Sequence, residues 1–112
     1  MEINWSEQSR DDLREIVSYV VVNFGTRKAA EVLAGIRAAA EQLADFPLLG
    51  KRFVEDKELG IVYRSLSCRL NRIVYYIEGD TVNIVTVWQN RRDVTRLVTE
   101  LTQDSSRHHA QR

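Results

Sequence analysis

Apolar and polar residues along the 112-residue chain alternate with two different periods, and the change of period divides it into segments. Glu2-Ile3-Asn4-Trp5 alternates and predicts a short first strand. Leu13, Ile16, Val17, Val20, Val21 and Phe24 recur every three or four positions, the stripe of an amphipathic helix. Ser6 is placed to cap that helix, acids at Glu7, Asp11 and Asp12 suit its positive end, and Gly25 suits a left-handed C-terminal position. A second helical stripe follows: Ala29, Val32, Leu33, Ile36, Ala40 and Leu43, with Thr26 as its candidate cap. Its alanines favour helix and keep it slim. The single-glycine joint therefore predicts an antiparallel helical hairpin.

Phe46-Pro47-Leu48-Leu49-Gly50 breaks the helical pattern, because Pro47 disfavours helix at Phe46 and Gly50 permits a sharp turn. Lys51 to Gly60 is charged and ambiguous, with a possible strand at Arg52-Phe53-Val54. Three strands are then expected: Ile61 to Cys68, Arg72 to Ile77 and Val82 to Trp88. The last two are joined by the tight turn Glu78-Gly79-Asp80-Thr81. In the middle strand Arg72, Val74 and Tyr76 share one face, and Ile73, Tyr75 and Ile77 the other. In the last, Val82, Ile84, Thr86 and Trp88 alternate with Asn83, Val85 and Val87. Both faces are largely apolar, whereas a sheet with one wet face should alternate more cleanly. Two helices cover only one face, so the other is expected to be a groove that a partner fills. Asp93 can cap a short last helix from Val94 to Leu101.

The pattern thus predicts an α+β fold: a small antiparallel β-sheet with an N-terminal helical hairpin packed on one face and a short C-terminal helix. One domain is expected over residues 1–102, with a disordered tail over 103–112. No apolar run is long enough to span a bilayer, and the first residues lack the regions of a signal peptide, so a cytoplasmic protein without a membrane role is expected. Cys68 is the single cysteine, which excludes an internal disulfide and a cysteine-based zinc site. The histidines, His108 and His109, sit together in the expected tail. Neither a metal nor a cofactor is expected.

Formal net charge is zero, but its distribution is uneven. Residues 1–60 hold eight Lys/Arg against eleven Asp/Glu, and residues 61–97 hold six Arg against three acids. The cations of the strand-rich part are all arginine, the better residue for fork-like contact with phosphate or carboxylate. Cys68 reads as a small packing residue and Trp88 as a core or rim anchor.

The order of elements resembles the RelE/ParE superfamily of bacterial toxins over nearly all of Ile3 to Leu97. Four segments carry the resemblance: the Ser6–Ile16 opening with acids at Asp11 and Asp12; Phe46-Pro47-Leu48-Leu49-Gly50; Arg72-Ile73-Val74-Tyr75-Tyr76-Ile77; and Ile84-Val85-Thr86-Val87-Trp88-Gln89-Asn90-Arg91-Arg92-Asp93. The resemblance implies the toxin half of a type II toxin–antitoxin module of the plasmid-stabilisation kind. A cognate antitoxin, threading a helix and a strand across the toxin, would neutralise it. The implied target- or antitoxin-binding groove is Arg64, Arg72, Val74, Tyr76, Trp88, Arg91 and Arg92.

The superfamily houses two mechanisms. RelE-like members cut mRNA in the ribosomal A site, a reaction that needs several cations and a proton-transfer group. Arg72 falls at that branch's mid-strand arginine, Arg91 or Arg92 at the arginine after the last strand, and Arg64 near a lysine. Leu66, however, stands where a second cation is expected and Leu97 where a C-terminal tyrosine is expected, with no histidine before the tail. ParE-like members poison DNA gyrase and need only a binding surface. Segment 46–50, the helical-hairpin proportions and the neutral charge are closer to this branch, since ribosome-directed toxins tend to be strongly basic. The preferred expectation is therefore a gyrase-directed, non-enzymatic toxin. The alternatives are a ribosome-dependent mRNA endoribonuclease using Arg64, Arg72, Arg91 and Arg92, with ribosome and mRNA as partners, and an inactive member that binds only its antitoxin.

Overall fold

A computed structural model describes residues 1–89. The elements are β1 (Glu2–Trp5), α1 (Glu7–Phe24), α2 (Thr26–Asp45), β2 (Lys51–Asp56), β3 (Ile61–Cys68), β4 (Asn71–Glu78) and β5 (Thr81–Gln89). They form one five-stranded sheet in the order β1-β5-β4-β3-β2. The helical hairpin packs on one face, as its stripes require. The strands β2 to β5 pair antiparallel, whereas β1 runs parallel to β5, so the sheet is mixed. The parallel pair arises because the helical hairpin carries the chain across the sheet between β1 and the later strands. Residues Arg91, Arg92, the expected helix from Val94 to Leu101 and the tail lie outside the described residues.

Leu13, Ile16 and Val20 of α1 meet Ala29, Ile36, Ala40 and Leu43 of α2 above Ile73, Tyr75, Val82, Ile84 and Val87 of the sheet. The α1 stripe is longer than the sheet it covers: its last members, Val21 and Phe24, are exposed. The hairpin joint is Gly25 at φ +91°, a conformation that L side chains rarely adopt. Its N–H donates to the Val21 carbonyl and its own carbonyl accepts from Ala29 N, so one glycine ends α1 and starts α2. Thr26 is therefore the first helical residue rather than the cap.

Ser6 caps α1 as its type predicts: its Oγ accepts from Ser9 N at 3.0 Å. The same hydroxyl donates to the Val85 carbonyl at 2.7 Å. Val85 is the extra residue of a β-bulge, because Val74 pairs with Thr86 and Tyr75 with Ile84. The Asp12 carboxylate closes the bulge from the helix side. One oxygen accepts from Val87 N at 3.0 Å and from the Thr86 hydroxyl; the other accepts from Gln8 Nε2 at 2.9 Å. Asp12 thus ties α1 to β5, beyond the helix-end role its position predicts.

Two hairpin turns join the last three strands. The Glu78–Thr81 turn places Gly79 at φ +58°. Between β3 and β4 a two-residue turn, Arg69-Leu70, follows the Cys68–Asn71 pair and puts Arg69 at φ +57°. A non-glycine residue there costs about 1 kcal/mol. The Arg69 guanidinium lies along α2 at Gly35, where an added Cβ would touch its Nε at 3.5 Å.

Candidate functional site

The bulge decides which residues of β5 reach the second face. Without it, alternation would keep Trp88 on the side of Val82 and Ile84. With one extra residue, Val82, Ile84 and Val87 all enter the helix-side core, and Trp88 joins the opposite face beside its pairing partner Arg72. There Tyr63, Val74 and Trp88 form a second cluster, with Phe53, Val54, Ile61, Tyr76 and Val85 packed against it. Val74 is 0% exposed, and Tyr63 and Trp88 are each 5% exposed. The expected open groove is therefore corrected: the centre of this face is closed and packed, and only its rim is available.

Arg72 and Tyr76 make that rim. The Arg72 guanidinium carbon sits 5.5 Å from the centroid of the Phe53 ring, within cation–π range. Phe53 reaches it because it is the extra residue of a second bulge, where the β2–β3 register shifts between Arg52 and Val54. On this face β3 contributes Ser65 and Ser67, small enough for the arginine stem to cross. Tyr63 and Tyr76 meet edge to face, with centroids 5.9 Å apart and planes at 83°. Arg72 is thus a cation held on an aromatic seat.

Arg64 lies elsewhere. It pairs with Tyr75 on the helix side of the sheet, opposite to Arg72. Its Nη1 donates to the Gly50 carbonyl at 2.9 Å. Four of the expected groove residues, Arg72, Val74, Tyr76 and Trp88, therefore share one face. Arg64 is on the other, and Arg91 and Arg92 fall outside the described residues. Leu66 packs against the helix-side core. Phe53 and Tyr63 complete the cluster, although neither belongs to the expected groove set. Phe53 was hidden because a bulge leaves no periodic mark, whereas Tyr63 lay in an alternating strand.

Arg64 belongs to a node that holds segment 46–50. The Tyr75 hydroxyl donates to the Pro47 carbonyl at 2.7 Å and accepts from Gly50 N at 2.9 Å. Glycine is required at position 50 by space: an added Cβ would stand 2.7 Å from the Tyr75 ring and hydroxyl and 3.0 Å from the Ser65 carbonyl. Burial pushes the Tyr75 hydroxyl above its ordinary range, opposed by the Gly50 hydrogen bond and the Arg64 charge. The pinned turn presents Phe46, Leu48 and Leu49 outward, the first two about two-thirds exposed (65% and 66%). These exposed apolar side chains sit on a fixed backbone, which lowers the entropy cost of using them in contact.

Chemically, the rim of the second face offers the Arg72 guanidinium and the Tyr76 phenol. A guanidinium stabilises anions but does not take up a proton. Cys68 is half-buried and its thiol lies 3.6 Å from the Gly35 carbonyl, a helix-packing contact. No group of three metal-ligating side chains gathers among the described residues, and none of their helices is long and apolar enough to cross a membrane.

A helical hairpin packed on one face of a five-stranded mixed sheet is an α+β arrangement consistent with the scaffold of RelE/ParE-type toxins. The model of the family described as ParE toxin of type II toxin–antitoxin system, parDE, matches residues 3–94, and the chain belongs to that family. Among solved structures, a chain described as the chromosomal ParDE TA system from P. aeruginosa superposes with a TM-score of 0.62 at 20% identity. The match covers 80% of this chain and 95% of that one, a likeness of fold. No curated protein matches the sequence significantly.

Proposed function

We propose that this protein is the growth-arresting toxin of a type II pair, acting in the cytoplasm by binding DNA gyrase and held inactive by a cognate antitoxin. The observation that carries the choice of mechanism is the placement of Arg64 and Leu66. These are the positions where an RNA-cutting relative would need cations near the scissile phosphate. Here Arg64 is spent on the Gly50 carbonyl and Leu66 on the helix-side core, both on the face away from Arg72. What remains beside Arg72 is a half-buried aromatic rim, Phe53 and Tyr76, suited to contact with a protein surface, where Tyr and Arg are among the residues that supply most of the binding energy. The pinned apolar turn at Phe46, Leu48 and Leu49 adds a second contact of the same kind.

Purified protein incubated with gyrase, DNA and ATP is expected to block supercoiling or trap cleaved DNA. Programmed ribosomes carrying mRNA cut at the A-site codon would overturn this reading in favour of the nuclease. Expression of the chain alone in a bacterium is expected to halt growth, and co-expression with the product of the adjacent small gene to restore it. A chain harmless on its own would leave only an antitoxin-binding role.

A further inference from the structure

The apolar stripe of α1 runs past the sheet, and a cleft of about 480 Å³ opens where it overhangs the β3–β4 turn. Ile16, Val20 and Phe24 of α1, Val32 of α2 and Leu70 of the turn line it. Phe24 is 66% exposed and Leu70 80% exposed. Leucine is unexpected at the tip of a two-residue turn, where glycine and small polar residues dominate. Nothing in residues 1–89 covers it. Lys28 and Arg69 also border the cleft. Arg69 has no ion-pair partner among the described residues, and Lys28 meets Glu31 only at 3.7 Å with both side chains half exposed. Gln89, at the end of β5, lies in the same wall, so the chain leaves the sheet at the mouth of the cleft.

We propose that this cleft is the docking site of the chain's own segment from Asp93 to Leu101, packed into it as a short helix. Val94, Leu97, Val98 and Leu101 recur at i, i+3, i+4 and i+7, a single apolar stripe. Asp93 and Glu100, seven residues apart, share one flank of that stripe, and Thr99 lies on the side away from it. The acidic flank matches Lys28 and Arg69, and the stripe matches the apolar wall. Geometry allows the fit. The link from Gln89 to Asp93 reaches at most about 14 Å, and a helix over residues 94–101 is about 12 Å long. A helix that short is marginal in water and needs a surface to hold it. A second copy of the chain offers the same stripe but carries the full entropy cost of association, whereas the tether supplies a high effective concentration. Docking would also anchor both ends of the link that carries Arg91 and Arg92, holding them within a few residues of the Arg72–Trp88 pair. The inference is independent of the cellular target.

The test uses the full chain. Amides of residues 97–101 should exchange at least about tenfold more slowly than in a free synthetic peptide of residues 90–112. Methyl-labelled protein should show nuclear Overhauser cross-peaks from Leu97 or Leu101 to Phe24 or Leu70. Their intensity per labelled molecule should persist when excess unlabelled chain is mixed in. Leu97→Glu/Leu101→Glu should abolish the cross-peaks, remove the protection and raise the fluorescence of the apolar dye ANS as the cleft opens. Thr99→Glu, on the outward side, should leave all three readings at the parent values. If the double variant fails to fold, Leu97→Ser takes its place. Unprotected amides, or cross-peaks absent from the lone chain as expected of a cleft kept open for a partner, would overturn the proposal. So would cross-peaks lost on mixing with unlabelled chain, which would seat a second copy there, or an equal response to Thr99→Glu.

Discussion

The two faces of β4 are built from neighbouring residues and behave differently. Ile73 and Tyr75 lie under the helical hairpin and are fully buried. Arg72 and Tyr76 face the opposite way and border a small aromatic cluster. The difference in construction is one of supply. The helix side draws apolar residues from both helices and four strands, whereas the second face is assembled from strand residues and two bulges. A domain of this size supports one large core, so the second cluster is a thin one. It keeps a charged residue in a fixed place at modest stability cost, which suits a recognition surface better than a second core would.

The sharpest way to break the contrast is to truncate matched positions. Ile73→Ala should cost about 2–5 kcal/mol by leaving a cavity under the helices. Urea denaturation of that variant should show a large fall in midpoint at unchanged slope. Asp12→Ala removes the acceptor of the Val87 N–H and the Thr86 hydroxyl and should cost about 1.5–3 kcal/mol, the range for hydrogen bonds to a charged group. Hydrogen exchange at the Val87 amide should accelerate in that variant more than exchange at Ile73.

Tyr75→Phe leaves the Gly50 N–H and Pro47 carbonyl without their partner and should cost about 1–3 kcal/mol. It also tests the pH dependence. Tyr75 keeps its proton more tightly in the fold than in the unfolded chain, whose tyrosine titrates at about 10. The folded state therefore binds more protons above that pH, so the Tyr75 contribution is complete below about pH 10 and is lost as pH rises toward the higher folded value. Stability measured from pH 8 to 11 should decline at the alkaline end in the parent and decline less in Tyr75→Phe.

The smallest expected stability effect belongs to Arg72→Ala, about 0.5–1 kcal/mol for loss of a half-buried cation–π contact. Its functional effect should be the largest of the series: growth arrest should weaken although the protein remains folded at growth temperature. Full arrest by the folded variant would remove Arg72 from the working surface.

Elements and layers were legible because they follow from period. The helical stripes, the Gly25 joint, the Glu78–Thr81 turn and the opposite facing of Tyr75 and Tyr76 are read directly from residue spacing. What escaped was register. Neither bulge has a sequence mark, so the side change of Trp88 and the reach of Phe53 were invisible. The Arg69-Leu70 turn lacks the glycine or asparagine that announces such turns, because contact with α2 at Gly35 accompanies the left-handed residue. Asp12 looked like one of several acids near a helix start; its bond to the bulge needs the three-dimensional pairing. The apolar character of both sheet faces was read as an invitation to a partner, and part of it serves the chain's own second cluster. Arg64 was grouped with Arg72 by family position, although the β3–β4 register places them on opposite sides.

Gly25 has a consequence for how this chain can change. Because the same residue closes one helix and opens the next, the two helices are locked in phase with each other. A single inserted residue there would turn α2 by about 100° relative to α1 and swing Ile36 and Leu43 away from the sheet. Length variation among descendants of this protein should therefore be tolerated in the charged stretch before β3 and purged from the elbow between the helices.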